Sequence, residues 1–223
     1  MSRFETRPYW VMATSGFGAK MQLAGRDDTV SAYISNDYLG MSQRSETIEA
    51  GIDALRKYGT GACAAQAIGG YLDIHHKLEK EIAEFVMIEY LRYYADSNVF
   101  SAAITPQVTC SVLKALELIK TNPEIRQKLW SNVNYLRNRL KRAGFDIGQS
   151  ESPIFPIMVR DNEKVYKIAD MLQKNCIFAS GIVYPAVRTK EARIRISILA
   201  SHEIEQLEEL AKALEEIRSV IPF

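Results

Sequence analysis

The run Arg193-Ile194-Arg195-Ile196-Ser197-Ile198-Leu199 alternates strictly, with apolar side chains at 194, 196 and 198 and polar ones at 193, 195 and 197. Successive side chains of a strand point to opposite faces, so this run is predicted to be a strand buried on one face only. Glu203 to Arg218 follows at once, and its Leu207, Leu210, Ala211 and Leu214 recur at helical spacing. A half-buried strand and a helix with one apolar stripe hide those surfaces against each other or against similar elements. The C-terminal part is therefore predicted to be an α+β module.

The pattern extends upstream. Ile154 to Val159 reads as a strand, with Pro156 placing it at an edge or a bulge. Val165 to Gln173 reads as a helix with Ile168, Met171 and Leu172 apolar, and Cys176 to Ala179 as a second strand closed by Ser180-Gly181. Glu124 to Ala143 is a helix ended by Gly144, with Leu129, Val133, Leu136 and Leu140 as its core stripe. It starts after Asn122-Pro123, Asn as cap and Pro in the first turn. Pro106 to Lys120 is a further helix with Val108, Val112, Leu113 and Leu116 inward. Glu46 to Lys57 is another, with Ile48, Ile52 and Leu55 buried and Gly59 and Gly61 stopping it. Residues 1 to about 28 read as an arm.

Composition excludes several classes. With 223 residues, 47% apolar and 25% charged, the chain matches a globular protein with one large core or two small ones. A net charge of +1, and no basic run interleaved with aromatics, argue against a nucleic-acid partner. No apolar run is long enough to span a bilayer, and Met1 to Glu5 lacks the apolar region of a secretory signal. Three scattered cysteines, Cys63, Cys110 and Cys176, suggest a reducing, cytoplasmic setting without disulfides. No metal site is expected, because His75, His76 and His202 are the only histidines and no C-x-x-C accompanies them.

The hexapeptide Ser35-Asn36-Asp37-Tyr38-Leu39-Gly40 stands at the exit of an alternating segment, Val30 to Ile34. Asn, Asp and Gly form turns there readily. The Tyr-Leu pair inside the turn is unusual, and predicts that the turn folds back over a pocket or a partner chain. Two core anchors in an ordinary turn is the plainer alternative.

SNDYLG closely resembles the N-terminal segment of the α-oxoamine synthases, pyridoxal-phosphate (PLP) enzymes that condense an amino acid with an acyl-CoA and lose carbon dioxide. Four further segments match that family in order. They are Tyr58-Gly59-Thr60-Gly61 continuing to Ile68-Gly69-Gly70; His75, Leu78 and Glu79 of an H-x-x-L-E helix start; Tyr90 to Tyr94 through Phe100-Ser101 to Pro106; and Val183-Tyr184-Pro185-Ala186-Val187 with Ala192-Arg193-Ile194-Arg195-Ile196-Ser197. The resemblance implies an α/β (α+β) fold, formed of the N- and C-terminal parts of a fold-type I PLP-dependent transferase, with a small C-terminal sheet packed with helices.

The family's middle has no counterpart. Leu78 to Val86 resembles the helix entering the large PLP-binding domain, and Met87 onward the helix leaving it. About 150 residues, the size of a domain, are missing between 86 and 87. The division expected is an N-terminal arm and first helices over 1–86 and a C-terminal α+β domain over 87–223. Periodicity hides the junction: Leu78, Ile82, Phe85, Ile88 and Leu91 keep helical spacing, so pattern alone predicts one helix from Asp73 to Tyr94. A longer enzyme whose middle is not represented, a deleted or engineered variant, and a natural remnant all fit.

The missing part carries the Schiff-base lysine and the acid that pairs with the pyridine nitrogen, without which PLP is no electron sink. No catalytic residue is therefore assigned, and PLP binding by this chain alone is not expected. Lys20, after Gly16 to Ala19, lies too early in the chain to substitute and reads as a solvated lysine. Gly59-Thr60-Gly61 follows a helix and lacks the lysine of a phosphate loop.

Arg195 is the strongest candidate. Its guanidinium, on the polar face of the strand, can grip a carboxylate through two parallel hydrogen bonds; an exposed strand arginine is the plain alternative. The resemblance makes Arg195 the residue that binds the amino-acid carboxylate and puts Asn36 in the same pocket, with Tyr38 lining that pocket or a dimer interface. His75 caps a helix or faces the site. Ser101 lies where the family's partner subunit reaches the cofactor phosphate, although Ala102 and Ala103 stand where relatives carry a second hydroxyl. Gln66 departs from the arginine of several relatives. Arg193 is expected to be solvated or paired, and His76 and His202 to lie on the surface. Two functions stay open. One is a PLP-dependent acyl-CoA:amino-acid C-acyltransferase acting as a homodimer on an amino acid and an acyl-CoA, not competent as this chain stands. The other is a non-catalytic remnant or deletion fragment that keeps the small-domain fold and dimer surface.

Overall fold

The computed structural model describes residues 11–66, 69–83 and 103–223. The chain forms two compact units, one from Met1–Gly40 with Glu124–Phe223 and the other from Met41–Pro123. The junction at residues 86 and 87 lies outside the described residues.

In the first unit, β1 (Lys20–Gln22) pairs antiparallel with β2 (Thr29–Ala32), Met21 opposite Val30. The long helix α4 (Pro123–Arg142) is followed by β3 (Ile154–Met158), α5 (Asn162–Lys174), β4 (Ile177–Phe178), β5 (Ser180–Ile182), β6 (Arg193–Ser197) and α6 (Ile204–Val220). One three-stranded sheet has the order β1-β2-β4, with β2 and β4 parallel. The other has the order β3-β6-β5 and is antiparallel throughout. The α/β class holds, and the alternation is realised from 193 to 196, with Ile194 and Ile196 of β6 fully buried between half-buried arginines; Ser197, expected on the polar face, is fully buried as well. Pro156 sits on the edge strand, where its missing N–H costs no ladder bond.

Helices α4 and α6 bury the predicted stripes, Leu129, Val133, Leu136 and Leu140 on one and Leu207, Leu210, Ala211 and Leu214 on the other. A polar seam joins them. Arg139 forks onto Glu215 with two hydrogen bonds of 2.9 Å, and Tyr135 donates to Glu208 at 2.5 Å. Asp161 caps α5 by accepting from the Lys164 N–H, and Glu203 with Gln206 forms a capping box at the start of α6.

The second unit holds α1 (Ser45–Tyr58), α2 (Asp73–Ala83) and α3 (Pro106–Thr121). Gly59, at φ 78°, ends α1. The buried face of α1 is Thr47, Gly51 and Ala54, and the apolar stripe expected to be inward is not: Ile48 is 44% exposed and Leu55 38%. On α3, Val108 is 49% exposed and Val112 38%. The cause is close helix approach through small residues. A Cβ added at Gly51 would lie 2.7 Å from Ser111 Oγ, and that hydroxyl donates to the Thr47 carbonyl at 3.1 Å. Contact is set where backbones come nearest, which leaves the neighbouring apolar stripe uncovered. Gly51→Leu is accordingly expected to destabilise this unit by about 1–3 kcal/mol through overpacking. An unchanged urea midpoint for that variant would show that α1 and α3 do not meet there.

Three smaller readings are corrected. The segment expected to be an arm contains β1, anchored by buried Met21 and Leu23 against Val30 and Ala32. Ser180-Gly181 opens β5 instead of closing β4, so the chain passes from one sheet to the other at Ala179. Asn122 does not cap α4; its amide donates to the Leu118 carbonyl at 3.0 Å and finishes α3.

Candidate functional site

The site grows from the way the chain leaves β2. Tyr33 is fully buried. Its N–H donates to the Phe178 carbonyl at 2.8 Å, and its own carbonyl accepts from Ser197 N–H at 2.9 Å. One residue thus bridges the end of β4 to the end of β6. Beyond it the chain turns: Ser35 Oγ accepts from Asp37 N–H at 3.0 Å, and Gly40 N–H donates to the Asp37 carbonyl at 2.9 Å. Gly40 takes φ 69°, which a Cβ would strain. Ala200 N–H then donates to the Tyr38 carbonyl at 2.8 Å. Residues 33 to 40 are therefore laid along the chain that continues β6, and the polar face of β6 looks at them.

The structure brings together three of the predicted residues. Arg195 is the central residue of β6, opposite Pro156 on one side and Ser180 on the other. Its Nη2 donates to Asn36 Oδ1 at 2.7 Å and, more weakly, to Tyr38 Oη at 3.3 Å. Tyr38 Oη also points at Asn36 Oδ1, at 3.4 Å. Asn36 is exposed, and Arg195 and Tyr38 are half-buried. Among the described residues no carboxylate pairs with Arg195, so the guanidinium is aimed by neutral oxygens and keeps its charge uncompensated. A planar cation held this way, with N–H donors to spare, is suited to a carboxylate. Arg193, on the same face, donates its Nε to the Glu191 carbonyl at 2.7 Å.

The other candidates are placed differently. His75 belongs to the second unit and is buried. Its Nδ1 accepts from Leu72 N–H at 3.1 Å, which leaves Nε2 to donate to the Ile104 carbonyl at 2.8 Å. Both ring nitrogens are thus taken by backbone. Lys20 is an exposed residue of β1, His76 is exposed, and Ser101 lies outside the described residues. His202, expected on the surface, is instead fully buried and stacked on Tyr33, with ring centroids 4.5 Å apart. A histidine between Ser201 and Glu203 carries no burial signal of its own; it meets the remote residues Ala32 and Tyr33. Asn132 of α4, outside the predicted apolar stripe, is fully buried too, its amide donating to the Leu199 and His202 carbonyls at 3.0 and 2.8 Å.

The described residues do not assemble a PLP site. The Arg195 cluster offers neither an amine for an imine link nor an acid for a ring nitrogen. A cavity of about 490 Å³ in the second unit is lined by Lys57, Lys77, Lys114 and Lys120, with Cys110 among its apolar residues. Three of those amines are held by carboxylates: Lys114 by Glu117 at 2.8 Å, Lys120 by Glu81 at 2.6 Å and Lys57 by Asp73 at 3.6 Å. The Tyr58 hydroxyl and then Asp73 favour the protonated form of Lys57 still further. Ion-paired ammonium groups are poor nucleophiles, and the carboxylates beside them repel a phosphate. A second cavity, about 400 Å³ in the first unit, is bordered by Glu203, Glu205 and Glu209, which suits an anion no better. Arg195, Asn36 and Tyr38 line neither cavity.

The aminotransferase class I and II family model matches residues 86–214. The serine palmitoyltransferase of Sphingobacterium spiritivorum is 42% identical over 128 residues, which are 57% of this chain and 32% of that protein. The 8-amino-7-oxononanoate synthase of Petrotoga mobilis is 34% identical over 159 residues, 71% of this chain and 38% of that protein. The chain spans less than half the length of these curated relatives. Among solved structures, Sphingomonas wittichii serine palmitoyltransferase shares the fold, with a TM-score of 0.88 at 13% identity over 96% of this chain and 93% of that chain.

Proposed function

The chain belongs to the aminotransferase class I and II family, in its α-oxoamine synthase branch, and on that premise we propose that it carries the carboxylate-binding rim of a PLP-dependent acyl-CoA:amino-acid C-acyltransferase. Its fold is that of a fold-type I PLP enzyme, and PLP is the cofactor of this family. The observation that carries the proposal is the Arg195 guanidinium, held by Asn36 and Tyr38 with no acidic partner among the described residues. In the whole enzyme this cluster receives the carboxylate of the amino acid that is condensed with an acyl-CoA to give an α-amino ketone.

The large cofactor domain belongs between residues 86 and 87, dividing the chain into 1–86 and 87–223, and is not part of this chain. The start of the family match at residue 86 supports that junction. So does the uncovered stripe of Ile48, Leu55, Val108 and Val112, an apolar surface of the kind a missing neighbour would cover. The chain alone is therefore not competent in catalysis, whether it represents a longer enzyme without its middle, a deletion product or a remnant. By resemblance alone Ser101, outside the described residues, is assigned to the place where the partner subunit of the whole enzyme reaches the cofactor phosphate, and His75 acts through the backbone it joins. The whole enzyme is read as a cytoplasmic homodimer without a nucleic-acid partner. Three free thiols support a reducing compartment, and among the described residues no helix is long and apolar enough to cross a membrane.

Two measurements test this. Titration of the 15N-labelled chain with glycine, L-alanine and L-serine is expected to shift the Asn36 and Arg195 side-chain signals saturably. Failure of all three amino acids to move those signals at millimolar concentration rejects the carboxylate site. Separately, PLP followed by borohydride is expected to leave the mass of the chain unchanged. A stoichiometric phosphopyridoxyl-lysine would overturn the assignment of the cofactor to an absent domain.

A further inference from the structure

We propose that His202 is the positioning residue of the carboxylate clamp: its neutral imidazole ties the chain that carries Asn36 and Tyr38 to the chain that carries Arg195. The inference rests on the reading of that cluster as a carboxylate site. His202 Nδ1 accepts from the Leu199 N–H at 3.0 Å. A nitrogen that accepts holds no proton, so in the neutral ring Nε2 carries it and donates to the Ala32 carbonyl, 3.1 Å away. One tautomer thus satisfies both backbone groups. Ala32 and Asn36 lie on one run and Arg195 and Leu199 on the other, each clamp residue one short step from the anchored atom.

The ring is also stacked, and its neighbours are themselves anchored. Its face stacks on Tyr33, interplanar angle 22°, and Tyr33 Oη donates to the Gln206 carbonyl at 2.7 Å. Gln206 Nε2 reaches Ser31 Oγ at 3.2 Å, and Asn132 grips the turn that presents the histidine. A histidine that only filled space would need no bond to the 32–38 run. Removal of this one strands a donor and an acceptor in the core at the two points from which the clamp projects. Arg195 and Asn36 depend on that register, because the bond between them joins side chains from opposite ends of the chain at 2.7 Å.

The test compares His202→Leu, which fills the space without polar atoms, with His202→Gln, whose amide offers both N–H donors and a carbonyl acceptor. Two readouts are taken on the full 223-residue chain. In the ligand-free protein, the Arg195 guanidinium and Asn36 carboxamide signals are expected at dispersed positions, to collapse to exposed-chain positions in His202→Leu, and to return in His202→Gln. L-Serine affinity is expected to fall at least about tenfold in the leucine variant and to stay within about threefold of the parent in the glutamine variant. Ordered clamp signals in a folded His202→Leu chain overturn the inference, as does a folded His202→Gln chain that fails to restore them. A leucine variant that does not fold leaves the 15N spectrum of the parent as the arbiter: an imidazolium, or a proton on Nδ1, at neutral pH overturns the inference, and a neutral Nε2–H ring supports it. A parent chain that binds no amino acid, yet loses clamp order in His202→Leu, refutes the carboxylate reading and leaves the positioning role standing.

Discussion

Replacing Arg195 by glutamine is expected to weaken binding of an amino-acid carboxylate by about 2 kcal/mol, roughly thirtyfold, at unchanged chain stability. A charged pair that is fully desolvated is worth more when broken, about 2–4 kcal/mol. The lower figure applies because the guanidinium is half-buried and Asn36 is exposed, so water screens part of the interaction. Arg195→Lys is expected to recover charge without recovering full affinity, since an ammonium cannot present two parallel N–H donors to one carboxylate. Arg193→Gln supplies the control. Arg193 shares the strand face and the formal charge, but its Nε is committed to the Glu191 carbonyl. If affinity followed net charge alone, the two substitutions would act equally. An equal loss from both, in the same serine titration, would sink the assignment of Arg195 as the gripping residue.

What the sequence disclosed and what it concealed divide along a physical line. The stripes of α4 and α6 were legible because each repeats a large apolar residue at every turn, and that repetition is what buries them. The face of α1 was misread for the converse reason. Its contact runs through Thr47, Gly51 and Ala54, residues too small or too polar to register in an apolar period, while the conspicuous Ile48 and Leu55 lie beside it. β1 is so short that alternation has no room to show. Arg195 was singled out by its place on an alternating strand, but only resemblance could give it a ligand. Its partnership with Asn36 across 159 residues is a product of tertiary structure. His202 shows the limit of local reading most plainly, since every group that buries it is remote in sequence or belongs to the backbone.

That burial makes the first unit sensitive to acid in a window where a protein lacking such a histidine would be indifferent. Burial holds the His202 imidazole down to about 4, against roughly 6.5 for the same group in an unfolded chain. Above pH 6.5 neither state carries the proton, and the contribution to stability is complete. As the pH falls from 6.5 toward 4, the unfolded chain takes up a proton that the folded chain refuses, so stability declines. Below about 4 both states are protonated and the loss ends. The difference integrates to about 3 kcal/mol, a large share of the stability of an ordinary domain. Glu208 and Glu215 act in a lower window. The Tyr135 hydroxyl chiefly depresses the first and Arg139 the second, so their contribution is whole above the usual carboxylate range and is lost only as the pH drops through their depressed values. Urea denaturation followed at a series of pH values is therefore expected to show a decline that begins near neutrality. His202→Gln, which has no proton to gain, is expected to flatten the upper part of that curve and keep the lower part. A slope between pH 6.5 and 5 that survives the substitution would mean that another group titrates there, and that the buried ring is not what couples this fold to acid.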